Sequence, residues 1–171
     1  ALNAGTSHIE GISDGALSAF IGSGAYKAST DASVIDGCDV IVIAVPTPLD
    51  EARNPDLSYV RAAADLIAKN AKSAALVINE STSFPGTLRN YIKPAIERYS
   101  NKAIAHLYAI SPERVDPGRG DFNQKNTPRL IAGLTPEASK MTKDFYSKFC
   151  IYIHLRINLT QFNIHFSRQE H

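Results

Sequence analysis

The chain has 171 residues, 44% hydrophobic and 20% charged, with 18 basic and 17 acidic side chains and a net charge of +1. That length and composition predict one folded domain of ordinary size and exclude a disordered chain. The scattered, balanced charge argues against a nucleic-acid face, and no apolar stretch reaches the roughly 18 to 20 residues that span a bilayer.

The opening segment ALNAGTSHIEG has neither the basic region nor the apolar core of a signal peptide. It also lacks an initiator Met, as expected of a piece of a longer chain. Cys38 and Cys150 make no disulfide framework or metal pattern; both are expected to be buried, inert thiols in a reducing, cytoplasmic setting.

Taken in chain order, the pattern alternates strands and helices. Ala25–Thr30 is a weak strand, and Asp31–Asp36 a short helix after Ser29-Thr30-Asp31. Residues 39–45 contain the run VIVIAV, the signature of a strand buried on both faces, and end in Pro46-Thr47-Pro48. Asp56 is the expected N-cap of a helix over 57–71, with apolar residues at 57, 60, 63, 64, 67 and 68 on one face. A strand at 75–79 leads into Glu80-Ser81-Thr82-Ser83-Phe84-Pro85-Gly86, then a helix over about 87–99 that Pro94 should kink. A strand at 104–110 runs into Ser111-Pro112-Glu113-Arg114-Val115-Asp116-Pro117-Gly118, within an irregular stretch to 128. A short strand at 129–132 precedes Gly133, and Thr135-Pro136 starts a helix to about 149. Residues 151–155 could form a strand; the rest of 151–171 keeps no period, and Asn158-Leu159-Thr160 matches a glycosylation acceptor by coincidence.

Alternating β and α elements imply βαβ crossovers and a mainly parallel sheet. Ligands of such sheets bind at the carboxyl ends of the strands. Here those ends carry hydroxyls, a carboxylate and a guanidinium. His8 and His106 stand alone and are expected to be structural or at the surface. Arg89, Lys93 and Arg98 read as a solvated helix face.

In this order and spacing, VIVIAVPTPLDEARNPDLSYVRAAA, ESTSFPGTLR and SPERVDPG closely resemble the UDP-glucose/GDP-mannose dehydrogenase family. These variants look most like its UDP-N-acetylglucosamine and UDP-N-acetylmannosamine 6-dehydrogenases. The resemblance runs from residue 1 to about 150. It implies oxidation of a UDP-N-acetylhexosamine C6 alcohol to a uronate with two NAD, through a thiohemiacetal and a thioester on a catalytic Cys. It also implies a role in polysaccharide synthesis and a full-length homodimer.

Carried over residue by residue, the resemblance places Val45, Pro46 and Thr47 against NAD. Thr82 contacts NAD and helps to hold the hydrolytic water. Glu113 is a general acid/base near the sugar, and Arg114 and Asp116 join it in substrate binding. The glucose branch has a second Glu four residues after the first; here Pro117 stands there, which counts against UDP-glucose. Two other readings stay open. One is a 3-hydroxyacid or 6-phosphogluconate-type dehydrogenase, which lacks Ser-Pro-Glu-Arg at this strand end. The other is a non-catalytic remnant or interaction module.

The implied fold is α/β, a Rossmann-like doubly wound parallel sheet, and it is incomplete. The first βαβ unit with its Gly-rich loop is missing, and Gly22-Ser23-Gly24, which precedes a predicted strand, is no substitute. The expected organisation is a partial NAD-binding domain over 1–150 and an unmatched tail over 151–171, with the central helix and the C-terminal substrate domain absent. A frame change or a misplaced gene end would give such an abrupt loss of resemblance. With strand order 3-2-1-4-5-6, the missing strands fall between those at 25–30 and 39–45, so the most apolar strand is expected to expose an edge. The chain alone is expected to be poorly stable and inactive.

Overall fold

A computed structural model describes residues 1–9, 11–99, 104–112 and 127–155. The backbone divides into two units, Ala1–Val34 and the chain from Ile35 onward.

In the first unit, a single 3-10 turn at Leu2–Ala4 is followed by helix α1, Asp14–Gly22, which the sequence reading did not anticipate. Ser13 caps it, its Oγ accepting the Ala16 N–H at 3.2 Å. The helix stops at Gly22-Ser23-Gly24, where Gly24 takes φ +73°. This glycine stretch therefore ends a helix and forms no cradle for a pyrophosphate. The strand expected at Ala25–Thr30 does not form. The Asn3 carboxamide instead takes both backbone groups of Ala28, each at 2.8 Å, and so occupies the positions a neighbouring strand would use. The short helix expected at Asp31–Asp36 is a 3-10 turn, Ala32–Ile35.

The second unit is a five-stranded sheet in the order β1 (Val40–Ile43), β2 (Leu76–Asn79), β3 (Leu107–Ile110), β4 (Arg129–Gly133) and β5 (Ile153–Leu155). The first three strands pair in parallel, β4 runs antiparallel to β3, and β5 is parallel to β4. Alternation along each strand divides the core in two. Helix α2 (Ser58–Asn70) and helix α3 (Lys93–Tyr99) contribute Val60, Ala64, Ile67 and Ile96 to a core with Ile43, Val77 and Tyr108. Helix α4 (Pro136–Tyr146) contributes Ala138 and Tyr146, which pack with Leu76, Ile78, Ala109 and Ile131. Helices thus cover both faces of the sheet.

Helix starts follow local chemistry. Thr135 caps α4 through the Ala138 N–H at 3.1 Å, with Pro136 in the first turn. Gly133 is required just before it, because a Cβ there would lie 2.7 Å from the Ala138 Cβ. Asp56 is not the N-cap of α2; Leu57 is, and the Asp56 carboxylate accepts the Ser58 N–H at 2.8 Å. Pro94 has no N–H to return to the preceding turn. A wide π turn, Leu88–Ile92, takes up the strain before α3 begins.

Cys150 is buried, as expected, but Cys38 is exposed, lying just after Gly37 in the turn that enters β1. Among the described residues, no helix is long and apolar enough to cross a membrane.

Strand β2 is buried along its whole length, whereas β1 ends the sheet and leaves Val42 38% exposed. Sedimentation should therefore detect concentration-dependent self-association through β1, and Val42→Lys should suppress it. Equal association of both proteins would exclude this edge.

His106, 6% exposed at the amino end of β3, accepts the Ala75 N–H on Nδ1 at 3.2 Å. Burial pushes its pKa below 6.5, although Glu97 nearby pulls it up. Protonation at Nδ1 also removes the acceptor. The unfolded chain therefore binds the proton more readily, so the stability held above pH 6.5 is lost as pH falls through and below that value. Urea midpoints should drop between about pH 7.5 and about pH 5.5, less steeply in His106→Asn; parallel slopes would contradict this.

Candidate functional site

Parallel register sets the geometry of the carboxyl edge. Ile43 pairs with Asn79, and Asn79 with Ile110, so the loops after β1, β2 and β3 leave the sheet side by side. With strands about 4.8 Å apart, the three loop roots lie within about 10 Å. Because β4 is antiparallel to β3, it enters the sheet at this same edge, beginning with Arg129.

The loop after β1 is stiff. Pro46 and Pro48 flank Thr47, and the following residues close on themselves through Asp50 N–H to Asn54 C=O and Asp56 N–H to Pro48 C=O, both 2.8 Å. Thr47 is half-buried. The loop after β2 is shaped by Asn79, which is fully buried. Its Nδ2 donates to the Ser81 carbonyl at 3.0 Å and to Ser83 Oγ at 3.5 Å. Thr82 is exposed on this loop. The turn out of it needs Gly86, at φ +92°.

Ser81 ties the two loops together. Its hydroxyl accepts the Val45 N–H and donates to the Val45 carbonyl, both at 2.8 Å. The Glu80 and Ser81 N–H groups both donate to the Ile43 carbonyl, at 2.9 and 3.3 Å. The structure thus brings the Val45-Pro46-Thr47 segment and the Thr82 loop onto one rim. Ser111 continues that rim, its N–H donating to the Asn79 carbonyl at 2.9 Å. Glu113, Arg114 and Asp116 lie outside the described residues.

A buried ionic group sits behind the rim. Arg129 Nη1 donates to Glu80 Oε1 at 2.7 Å and to Ser111 Oγ at 3.1 Å, and the Tyr146 hydroxyl donates to the same Glu80 oxygen. Burial, then the Glu80 carboxylate, pushes the Tyr146 pKa up, so the phenol stays protonated and donates. Sequence reasoning passed over Glu80, Ser81, Ser111, Arg129 and Tyr146. The available signal was Arg129 itself, a cation opening an apolar strand, which requires a buried counter-charge.

The Ser81 tie is open to test. Ser81→Ala leaves the Val45 N–H and carbonyl without this partner and should cost about 1 to 3 kcal/mol in urea unfolding. Amide hydrogen exchange at Val45 should accelerate. An unchanged rate there would show that the tie does not hold the β1 loop.

The comparisons agree with this architecture. The profile of the UDP-glucose/GDP-mannose dehydrogenase family, NAD binding domain, matches residues 1–150. The chain is 32% identical over 111 residues to a UDP-N-acetyl-D-glucosamine 6-dehydrogenase of Pseudomonas aeruginosa, covering 64% of this chain and 26% of the relative. It is 32% identical over 151 residues to a UDP-N-acetyl-D-mannosamine dehydrogenase of Pyrococcus horikoshii, covering 86% of this chain and 36% of the relative. A solved structure of the UDP-D-ManNAc dehydrogenase from Pyrococcus horikoshii superposes with a TM-score of 0.83 at 31% identity, over 93% of this chain and 38% of that one. The chain thus spans about a third of the length of these relatives. Its α/β sheet is of the Rossmann type, and the chain belongs to the UDP-glucose/GDP-mannose dehydrogenase family, whose cofactor is NAD, within the NAD binding domain.

Proposed function

We propose that this chain is the cofactor-facing part of a nucleotide-sugar 6-dehydrogenase that converts the C6 alcohol of a UDP-N-acetylhexosamine to the uronate. The observation that supports the reading is the rim itself. Three parallel strand ends present Val45-Pro46-Thr47, Ser81-Thr82 and Ser111-Pro112 along one edge, and Ser81 locks the first two together.

When bound, NAD would supply the hydride acceptor. The chain's own residues do the positioning. The proline-stiffened turn at Val45-Pro46-Thr47 offers backbone and a hydroxyl to the cofactor, and the exposed Thr82 hydroxyl adds a second contact. Thr82 also helps to hold the hydrolytic water. Glu113 takes or returns a proton at the sugar, and Arg114 and Asp116 hold the substrate. Ser-Pro-Glu-Arg, with Pro117 four residues after Glu113, favours the N-acetylhexosamine branch over UDP-glucose.

We assign residues 1–150 to a partial NAD-binding domain and 151–171 to an unmatched tail. These 171 residues span about a third of the length of the relatives they match, and we infer that they perform no oxidation by themselves. The longer enzyme works as a cytoplasmic homodimer in polysaccharide synthesis.

NMR titration of the chain with NAD tests the cofactor reading. Amide shifts should concentrate at Val45, Thr47, Thr82 and Ser83, and Thr82→Ala should weaken binding about 5-fold, as loss of one hydrogen bond implies. Adding UDP-N-acetylglucosamine or UDP-N-acetylmannosamine should yield no NADH absorbance. Absence of saturable shifts, or shifts confined to the amino edge near Ala75, would overturn the reading; turnover would refute the inferred inactivity.

A further inference from the structure

Glu80 occupies a position that connects two tasks. It directly follows Asn79, the last residue of β2, and directly precedes Ser81-Thr82. Its Oε1 receives both the Arg129 guanidinium, at 2.7 Å, and the Tyr146 hydroxyl. The Arg129 side chain is 5% exposed and that of Glu80 18%. The guanidinium carbon stands 4.4 Å from the centroid of the Tyr146 ring, and Nη1 also reaches the Ser111 hydroxyl. The first residue of the Thr82 loop is thus held from β4 and α4, while the same guanidinium holds the first residue after β3. Neutralising a buried arginine calls for a carboxylate, but not for one at the root of this loop.

We propose that Glu80 is a positioning residue for the cofactor: clamped by Arg129 and Tyr146, it fixes where Ser81 and Thr82 stand on the rim. This rests on the cofactor reading of the β1 and β2 loops. Movement of Glu80 shifts Ser81, and through the Ser81 hydroxyl it shifts the Val45 backbone as well. One ionic group therefore sets both loops.

The test separates positioning from mere stability by measuring the Kd for NAD alongside urea unfolding. Glu80→Ala and Arg129→Met should raise the Kd about 10-fold, within the range over which packed networks couple positions. Glu80→Gln, whose amide oxygen still accepts both donors, should return it to within about 3-fold of the unsubstituted chain. Ile96→Ala, in the core on the α3 side, should lower the urea midpoint and leave the Kd unchanged. Tyr146→Phe, which keeps the ring and removes one donor to Glu80, provides a milder variant should the alanine variant fail to fold. Its Kd should rise about 3-fold. If Thr82→Ala weakens binding while Tyr146→Phe and every folded Glu80 or Arg129 variant binds like the unsubstituted chain, the inference fails alone. It also fails if Ile96→Ala weakens binding as much as they do. If the unsubstituted chain binds no NAD, the cofactor reading fails and this inference falls with it.

Discussion

The parallel register of β1, β2 and β3 decides where every group on the carboxyl rim stands. Side chains alternate faces along a strand, so Leu76 and Ile78 pack with α4 while Val77 packs with α2 and α3. A slip by one residue would exchange those sets, moving apolar groups shaped for one core into the other. Core packing therefore selects the register. The register in turn places Ile43, Asn79 and Ile110 side by side, and everything on the carboxyl rim follows from that alignment.

On that frame, two polar devices set the loops. Ser81 works locally, satisfying both the N–H and the carbonyl of Val45 where the chain leaves β1. Glu80 works across the sheet, because its partners come from β4 and α4. Ion pairs buried this deeply add little net stability against an apolar alternative, but removing one partner is expensive. Their value is geometric. They give a rim made of loops the definition of a rim made of strands.

Much of the second unit was legible because its elements are strongly periodic. The apolar spacing over 57–71 marks the buried stripe of α2, and Thr135-Pro136 marks the start of α4. Strand extents were overdrawn: apolar residues continue beyond the ladder, as Ala44 and Val45 do after β1. The first unit was harder. Ala25–Thr30 has strand-like composition, yet Asn3, more than twenty residues earlier, captures the Ala28 backbone. Helix α1 lacked a conspicuous apolar stripe, and only Leu17 is buried. Pro94 was expected to kink a helix, and the physical outcome is a π turn just before it.

The candidate site was half legible. Motif residues such as Thr47 and Thr82 announce themselves through their loops, but the groups behind them do not. Nothing local to Arg129 says that its counter-charge lies at Glu80, because long-range pairing is a property of the fold. That the loops after β1 and β2 form one cofactor-facing rim is a proposal that a crystal structure of the chain grown with NAD would decide. Cofactor density should lie against Val45, Thr47 and Thr82; density at the amino edge beside Ala75 and His106, or none at saturating NAD, would rule the rim out.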